Sequence, residues 1–231
     1  RALESNGRDW VPRAGRRAYP GSVPAPFHRP VRLSPETFDN LLGSHDPAEQ
    51  TRMAHATASA LLARVRADDS GVSAERLVAY ATEHGIDEVA ELWAKSPAVS
   101  LPGALWRLYL LQVSIHADPS LAALLHERGR VELPSVDALV AGAPVPAGPE
   151  ELVGLIDTIL RGAFTGDFAI ALERAAAFCR VQASGSTHIA DDYDPTEPDR
   201  ASELTTRAAR LSAFAQDLTA SAAAWRDGSL T

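Results

Sequence analysis

The sequence has very little of the chemistry that cysteine and lysine supply. Its 231 residues include one cysteine, Cys179, and one lysine, Lys95. A single cysteine excludes an intramolecular disulfide framework and every zinc site that needs several thiolates. Lys95 lies in the sequence Trp-Ala-Lys-Ser-Pro, with no glycine-rich loop before it, so a phosphate-binding loop of the nucleotide-hydrolase type is excluded as well.

Long apolar runs and alternating patterns are also lacking. No stretch reaches the ~18 apolar residues of a membrane-spanning helix, and the most apolar run, 101–116, contains Arg107 and Gln112. The first residues are polar and include arginine, with no apolar segment behind them, so we predict no signal peptide and a cytoplasmic location. Because no segment alternates apolar and polar residues over a useful length, the sequence predicts an all-α protein.

Charge is divided unevenly along the chain. Residues 1–33 contain seven arginines and two acidic residues, a net charge of +5, and because the whole chain carries −8 the remaining residues carry −13. Residues 1–33 are also rich in proline, which predicts an extended basic N-terminal arm. Such an arm suits binding to nucleic acid. An acidic body repels a polyanion, however, and we favour an arm held against this chain or a neighbouring one.

Residues 34–231 predict a single compact bundle of about eight to nine helices. Aspartate followed by proline marks helix starts at Asp46 and Asp118, and Ser100 marks a third. The segment 142–149, Gly-Ala-Pro-Val-Pro-Ala-Gly-Pro, is the clearest internal linker and a candidate boundary between two lobes. Glycine is expected to end several helices, at Gly43, Gly85, Gly129, Gly162 and Gly185.

The apolar run 101–116 is predicted to form the central helix of this bundle. It is apolar around most of its circumference, which is typical of a helix buried on most sides. Four of its side chains combine a bulky body with polar atoms that need partners if they are buried. We therefore expect any ligand pocket to lie beside these four residues, which are Trp106, Arg107, Tyr109 and His116.

An acidic segment at 188–199 is predicted to form a loop before the last helix. Its imidazole and carboxylates suit a divalent cation such as Mg²⁺, and they resemble half of the aspartate-rich diphosphate-binding motif of isoprenoid synthases. The alternative is a solvated loop whose acids favour the N-terminus of the next helix. No other cofactor is predicted. The candidate metal ligands are His188, Asp191, Asp192 and Asp194.

The last helix, predicted from about Pro198 to Asp227, has a heptad pattern. Large residues recur every seven positions in one column, and alanines lie midway between them, so another helix can approach closely. The predicted partner is the alanine-rich helix at 167–183, folded back antiparallel, and the alternative is the same helix of a second subunit. The large residues, which are candidates for self-association, are Leu204, Leu211, Leu218 and Trp225.

Three segments of the chain have distinctive sequences. They are residues 18–30 (Ala-Tyr-Pro-Gly-Ser-Val-Pro-Ala-Pro-Phe-His-Arg-Pro), 101–109 (Leu-Pro-Gly-Ala-Leu-Trp-Arg-Leu-Tyr) and 160–168 (Leu-Arg-Gly-Ala-Phe-Thr-Gly-Asp-Phe). Together they resemble a family of actinobacterial all-helical proteins whose function is unknown. The resemblance extends over most of the chain from Tyr19 onward, and it implies a helical fold without implying an activity.

Three functional hypotheses follow from the sequence. It contains no convergent catalytic set, so the leading hypothesis is a non-catalytic helical protein that acts by binding another protein or itself. The alternative is a helical enzyme, or a protein that binds a small ligand or a metal, with its site near 188–199 and the helix at 101–116. A nucleic-acid-associated accessory factor that uses residues 1–33 is the third.

Overall fold

The described part of the chain folds into α-helices. The computed structural model describes residues 46–68, 70–84, 86–133 and 148–231. Within these residues there are eight α-helices and no strand, which confirms the all-α prediction. In chain order the helices are α1 (Pro47–Arg66), α2 (Val72–His84), α3 (Asp87–Ala94), α4 (Leu101–Ala117), α5 (Pro119–Glu132), α6 (Pro149–Thr165), α7 (Phe168–Tyr193) and α8 (Pro198–Arg226).

Several predictions from the sequence fall outside the described residues. The extended basic arm at 1–33 is one of them, and most of the lobe boundary at 142–149 is another. The described end of that boundary, Gly148 and Pro149, forms the start of α6. The arm, the lobe boundary and the single domain over 34–231 therefore stay predictions.

Helix starts follow the capping chemistry that the sequence predicts. The Asp118 carboxylate accepts a hydrogen bond from Leu121 N at 2.9 Å, and Ser100 Oγ accepts one from Gly103 N at 3.1 Å. Each cap satisfies a backbone N–H that has no partner within its own helix. A proline follows each cap within two residues, where its fixed φ suits the first helical turn.

The run 101–116 lies within α4 and contributes to the core. Leu105, Leu108 and Leu111 are buried, and α4 packs against α1, α3, α6 and α8. The opposite side of the helix is open, because Trp106 is only half-buried and Val113 keeps 42% of its surface exposed. Residues 101–105 are all buried, so the prediction of a helix buried on most sides holds for the first turn of α4. Beyond that turn the helix is buried on one side and keeps an open side.

Helix α7 is the most extensively buried helix among those described. It packs against α5, α6 and α8, and its buried residues include Phe168, Phe178 and the three alanines at 175–177. Alanine contributes little hydropathy, but its small side chain allows neighbouring helices to approach closely. This is why α7 is buried more extensively than its sequence suggests.

The predicted helix end at Gly185 is wrong. Helix α7 continues through Gly185 to Tyr193, because this glycine serves a helix crossing instead. A Cβ atom at Gly185 would lie 1.8 Å from the carbonyl oxygen of Leu125 in α5. Gly129 in α5 occupies the reciprocal position, where an added Cβ atom would lie 1.8 Å from the carbonyl oxygen of Val181. Without a Cβ on either side, the backbones of α5 and α7 come into contact.

The observed helix bounds correct two further predictions. Gly129 and Gly162 lie inside α5 and α6, which extend three residues past each of them. Because α7 runs to Tyr193, residues 188–193 are helical, and the predicted acidic loop at 188–199 is reduced to the four residues 194–197.

Helix α8 folds back antiparallel along α7, as the heptad pattern predicts. At one end the rings of Phe168 and Trp225 are 4.8 Å apart, and at the other Leu204 packs in one cluster with Ile189. Between these ends, Ala208, Ala215 and Leu218 are buried. The large column and the alanine column of α8 therefore both pack inside this chain.

No single described helix is long and apolar enough to cross a membrane. Helices α4 and α5 meet the criteria of length and composition only when they are taken together, and they are bent by 107° at their junction.

Candidate functional site

A groove lies between α4 and α8 and encloses a cavity of about 550 Å³. Its apolar lining consists of Leu110, Leu111, Leu211 and Phe214, of which Leu110 and Phe214 are only half-buried. We call this feature the α4–α8 groove. Its polar lining residues are Ser114, Ser202, Glu203, Thr206, Arg207 and Arg210.

A second cavity, of about 740 Å³, continues the groove toward the N-terminal end of α8. It is lined by Leu121 of α5 and by the first turn of α8 with the loop before it. Glu203 and Arg207 line both cavities, which therefore lie side by side along α8. From Pro198 to Phe214 the two cavities follow about 16 residues of helix, or roughly 24 Å at 1.5 Å per residue.

Arg207 lies at the junction of the two cavities, and its side chain is half-buried. Its guanidinium donates to Ser114 Oγ at 3.3 Å, while its Nε is buried and has no hydrogen-bond partner among the described residues. Burial lowers the pKa of Arg207, and the nearby Asp118 carboxylate opposes that shift. A buried guanidinium N–H without a partner is costly. Because this Nε is covered by the chain itself, Arg207 serves to link α8 to α4 through Ser114 and does not offer its Nε to a ligand.

Glu203 and Arg210 lie two helical turns apart on the same side of α8. Both side chains are exposed, and neither has an ion-pair partner within 4.0 Å in the part of the chain that the structure describes. The groove thus presents one acidic and one basic side chain that are available to a binding partner.

Arg107, in contrast, is held by contacts within the chain. Its Nε donates to Asp217 Oδ2 at 2.9 Å, and another guanidinium nitrogen donates to the Gly103 carbonyl at 3.1 Å. The guanidinium carbon also lies 5.5 Å from the centre of the Phe214 ring. These contacts fix the Phe214 end of the groove and link α4 to α8.

The four predicted ligand-binding residues do not converge on one pocket. Arg107 points to α8, and the rings of Trp106 and Tyr109 lie 5.6 Å apart on the open side of α4. His116 points to α6 instead. Ligand binding by these four residues stays a prediction, although Arg107 does border the α4–α8 groove through Phe214.

His116 belongs to a polar cluster that the sequence does not reveal. Asp157 Oδ1, on α6, lies 2.9 Å from His116 Nε2 and accepts a hydrogen bond from Gln112 Nε2 at 3.0 Å. Gln112 is buried, while His116 and Asp157 are half-buried. The cavities described above are lined by other residues, so we interpret this cluster as a polar link between α4 and α6.

The candidate metal ligands are distributed over separate contacts. His188 Nδ1 lies 2.8 Å from the Ser184 carbonyl oxygen, and Asp192 lies 3.6 Å from the guanidinium of Arg128. The two remaining acids line a cavity of about 440 Å³ together with three hydroxyl side chains of α8. Among the residues described, no three His, Cys, Asp or Glu side chains are grouped so that they could hold a metal ion. Metal binding by His188, Asp191, Asp192 and Asp194 stays a prediction.

The candidate self-association residues lie mainly against α7. Leu204, Leu211 and Leu218 are buried, and Trp225 is half-buried against Phe168. Of these only Leu211 also lines the α4–α8 groove, and self-association through the column stays a prediction. Sequence reasoning missed the neighbouring column of α8, although its charged and aromatic residues follow a helical spacing. That column is Glu203, Arg207, Arg210 and Phe214.

Comparisons with known proteins add no homologue to this description. No protein-family model matches the chain, and neither a curated protein nor a solved structure matches it. The all-helical fold and the α4–α8 groove are therefore the basis for the functional proposal below.

Proposed function

We propose that this chain acts by binding a polypeptide in the α4–α8 groove. The observation that supports this most is an apolar surface beside charged side chains that have no ion-pair partner in the described chain. Leu110 and Phe214 keep part of their surface open, and Glu203 and Arg210 are exposed beside them. A protein partner would remove the apolar surface from water and supply opposite charges.

The dimensions of the groove suit a helix better than a small molecule. Small-molecule sites usually enclose most of their ligand, whereas this groove and the second cavity beside it are open along α8 and together run for roughly 24 Å. An amphipathic helix of about 16 residues has that length, and it can lay its apolar face into a groove of this kind. Arginine and aromatic side chains, both found here, are enriched in the central parts of protein interfaces.

Arg210 gives the groove a preference for a carboxylate. Its side chain is exposed in the groove and has no ion-pair partner among the described residues, whereas the Nε of Arg207, one turn earlier on α8, is buried within the chain. A carboxylate accepts from a guanidinium in a charge-assisted hydrogen bond, which is roughly twice as strong as a neutral one. We therefore expect a partner with apolar side chains at helical spacing and at least one acid between them.

A displayed library of helical peptides of about 16 residues tests this proposal. We expect enriched peptides to carry the acid and apolar spacing described above. Phe214→Ala and Arg210→Gln should each weaken their binding about tenfold or more, because an anchor contact of this size is worth about 1–2 kcal/mol.

Leu124→Ala is the matched control, because Leu124 is an exposed apolar residue (52% exposed) on α5 outside the groove. Binding to this variant should be unchanged. Peptides that bind all three variants equally, or a library with no binder at all, would contradict the proposal.

A further inference from the structure

We infer that the polypeptide bound by the α4–α8 groove is the same groove of a second copy of this chain, related by a two-fold axis near Thr206. This inference rests on the proposed function and adds the identity of the partner. It is drawn from the order of side chains along α8. When two copies of this helix are placed antiparallel, the side chains of one copy complement those of the other.

The first complementary relationship is one of charge. Glu203 lies three residues before Thr206 and Arg210 lies four residues after it. When two α8 helices pair antiparallel about this position, Glu203 of one copy faces Arg210 of the other, and symmetry generates the second pair. Both side chains are exposed and available for this contact. Arg207 is less available, because it bonds Ser114 and is attracted by Asp118 in its own chain.

The second relationship is one of shape. The same axis, which lies between positions 206 and 207, sets Phe214 of one copy opposite Asp199 of the other, because the two residues lie seven and a half positions on either side of it. Phe214 is a half-buried aromatic at one end of the groove, and Asp199 lines the 740 Å³ cavity beside the other end, together with Leu121 and Leu204. The open part of the Phe214 ring in each copy thus meets a cavity of its partner.

These two relationships point to the same centre, although one depends on charge and the other on shape. A foreign helix needs matching charged and apolar residues at both ends of the groove, whereas a second copy supplies the same contacts at both ends by symmetry. The resulting interface joins α4 and α8 of each copy in a four-helix arrangement. Leu110 and Phe214 of both copies lie between the helix pairs, where they are removed from water.

Sedimentation equilibrium on the purified chain tests the inference. We expect a reversible dimer. Glu203→Arg and Arg210→Glu should each weaken dimerisation roughly tenfold or more, because each change sets two pairs of like charges against one another. An equimolar mixture of the two variants should dimerise like the wild type, because every contact between positions 203 and 210 then joins opposite charges again.

Two charge reversals outside the groove serve as controls. Glu49→Arg on α1 and Arg76→Glu on α2 replace exposed residues and should leave the dimer unchanged. Circular dichroism checks that every variant keeps its helical content.

The inference is overturned if the wild type stays monomeric at all concentrations or if neither charge reversal weakens dimerisation. It is also overturned if the mixture of the two variants dimerises no more tightly than each variant alone. The peptide selection separates these outcomes from the proposed function, since it uses protein too dilute to dimerise. Peptide binding that depends on Phe214, in a chain that never dimerises, would leave the proposed function standing and exclude the second copy as the partner.

Discussion

Gly129 and Gly185 lie against each other where α5 crosses α7, with each glycine in contact with the backbone of the opposite helix. An added Cβ would come within 1.8 Å of a carbonyl oxygen at either position. Backbone atoms cannot move aside as the end of a flexible side chain can. This contact therefore fixes the distance between the two helices, and it holds α7 beside the element that carries Leu121 of the second cavity.

Gly185→Ala should lower the free energy of unfolding by about 3 kcal/mol or more, because the helices must separate to admit the methyl group. Chemical denaturation followed by circular dichroism measures the change. Gly154→Ala is the control, since Gly154 is an exposed residue of α6 and an added Cβ meets nothing within 4 Å. That change should raise stability by up to about 1 kcal/mol through helix propensity. Equal effects of the two substitutions would contradict the crossing contact.

Asp157→Ala should also destabilise the fold, by about 2 kcal/mol, because it removes the acceptor of the buried Gln112 amide and separates His116 from its partner. Asp157→Asn keeps one carbonyl acceptor and should cost less. Thr158→Ala, at the exposed neighbouring position, should change stability by less than about 0.5 kcal/mol. Thermal or chemical unfolding of the three variants measures these changes. If Asp157→Ala lowers the free energy of unfolding no more than Thr158→Ala does, the polar link between α4 and α6 is refuted.

Local signals in the sequence predict much of this fold. Caps such as Ser100 and Asp118 act within their own first turn, so residue identity and spacing are sufficient to place helix starts. The heptad of α8 also predicts its packing correctly, because the complementary alanine-rich stripe lies in the helix immediately before it. Contacts between helices adjacent in sequence are thus within reach of pattern analysis.

Contacts between helices that are distant in the sequence cannot be predicted from such patterns. Gly185 has the appearance of a helix end because glycine commonly ends helices, and only the approach of α5 reveals its actual role. Asp157 occupies an ordinary polar position of an amphipathic helix, and nothing in the sequence connects it with Gln112 and His116 more than 40 residues earlier. The α4–α8 groove is missed for the same reason, because its two sides are about 90 residues apart in the chain.

Cys179 should be inert toward thiol reagents while the chain is folded. The side chain is fully buried in α7, and burial raises the pKa of the thiol to about 12, so little of the reactive thiolate exists near neutral pH. Mass spectrometry after alkylation should detect label only where denaturant unfolds the chain. A cysteine introduced by Thr187→Cys, at an exposed position of the same helix, should be labelled at once. Rapid labelling of Cys179 in the native protein would contradict this packing.

Stability should depend on pH through Asp68, which lies between α1 and α2. Hydrogen bonds from Ser70 and Ser73 hold the pKa of this carboxyl well below its usual value, and its Oδ2 accepts from Ser73 N at 2.7 Å. Because the pKa is lower in the folded chain than in the unfolded one, the stabilisation is present above the unfolded pKa of about 4 and is lost as the pH falls toward the folded pKa.

Asp68→Asn removes that titration, so the difference in unfolding free energy between wild type and variant should be larger at about pH 7 than at about pH 3. Ser70→Ala, which removes one hydroxyl donor to the carboxylate, should reduce the pH dependence in part. Urea denaturation of the three proteins at both pH values provides the measurement. A wild type and an Asp68→Asn variant that lose the same stability between the two pH values would show that the turn does not bind the carboxylate in its charged form.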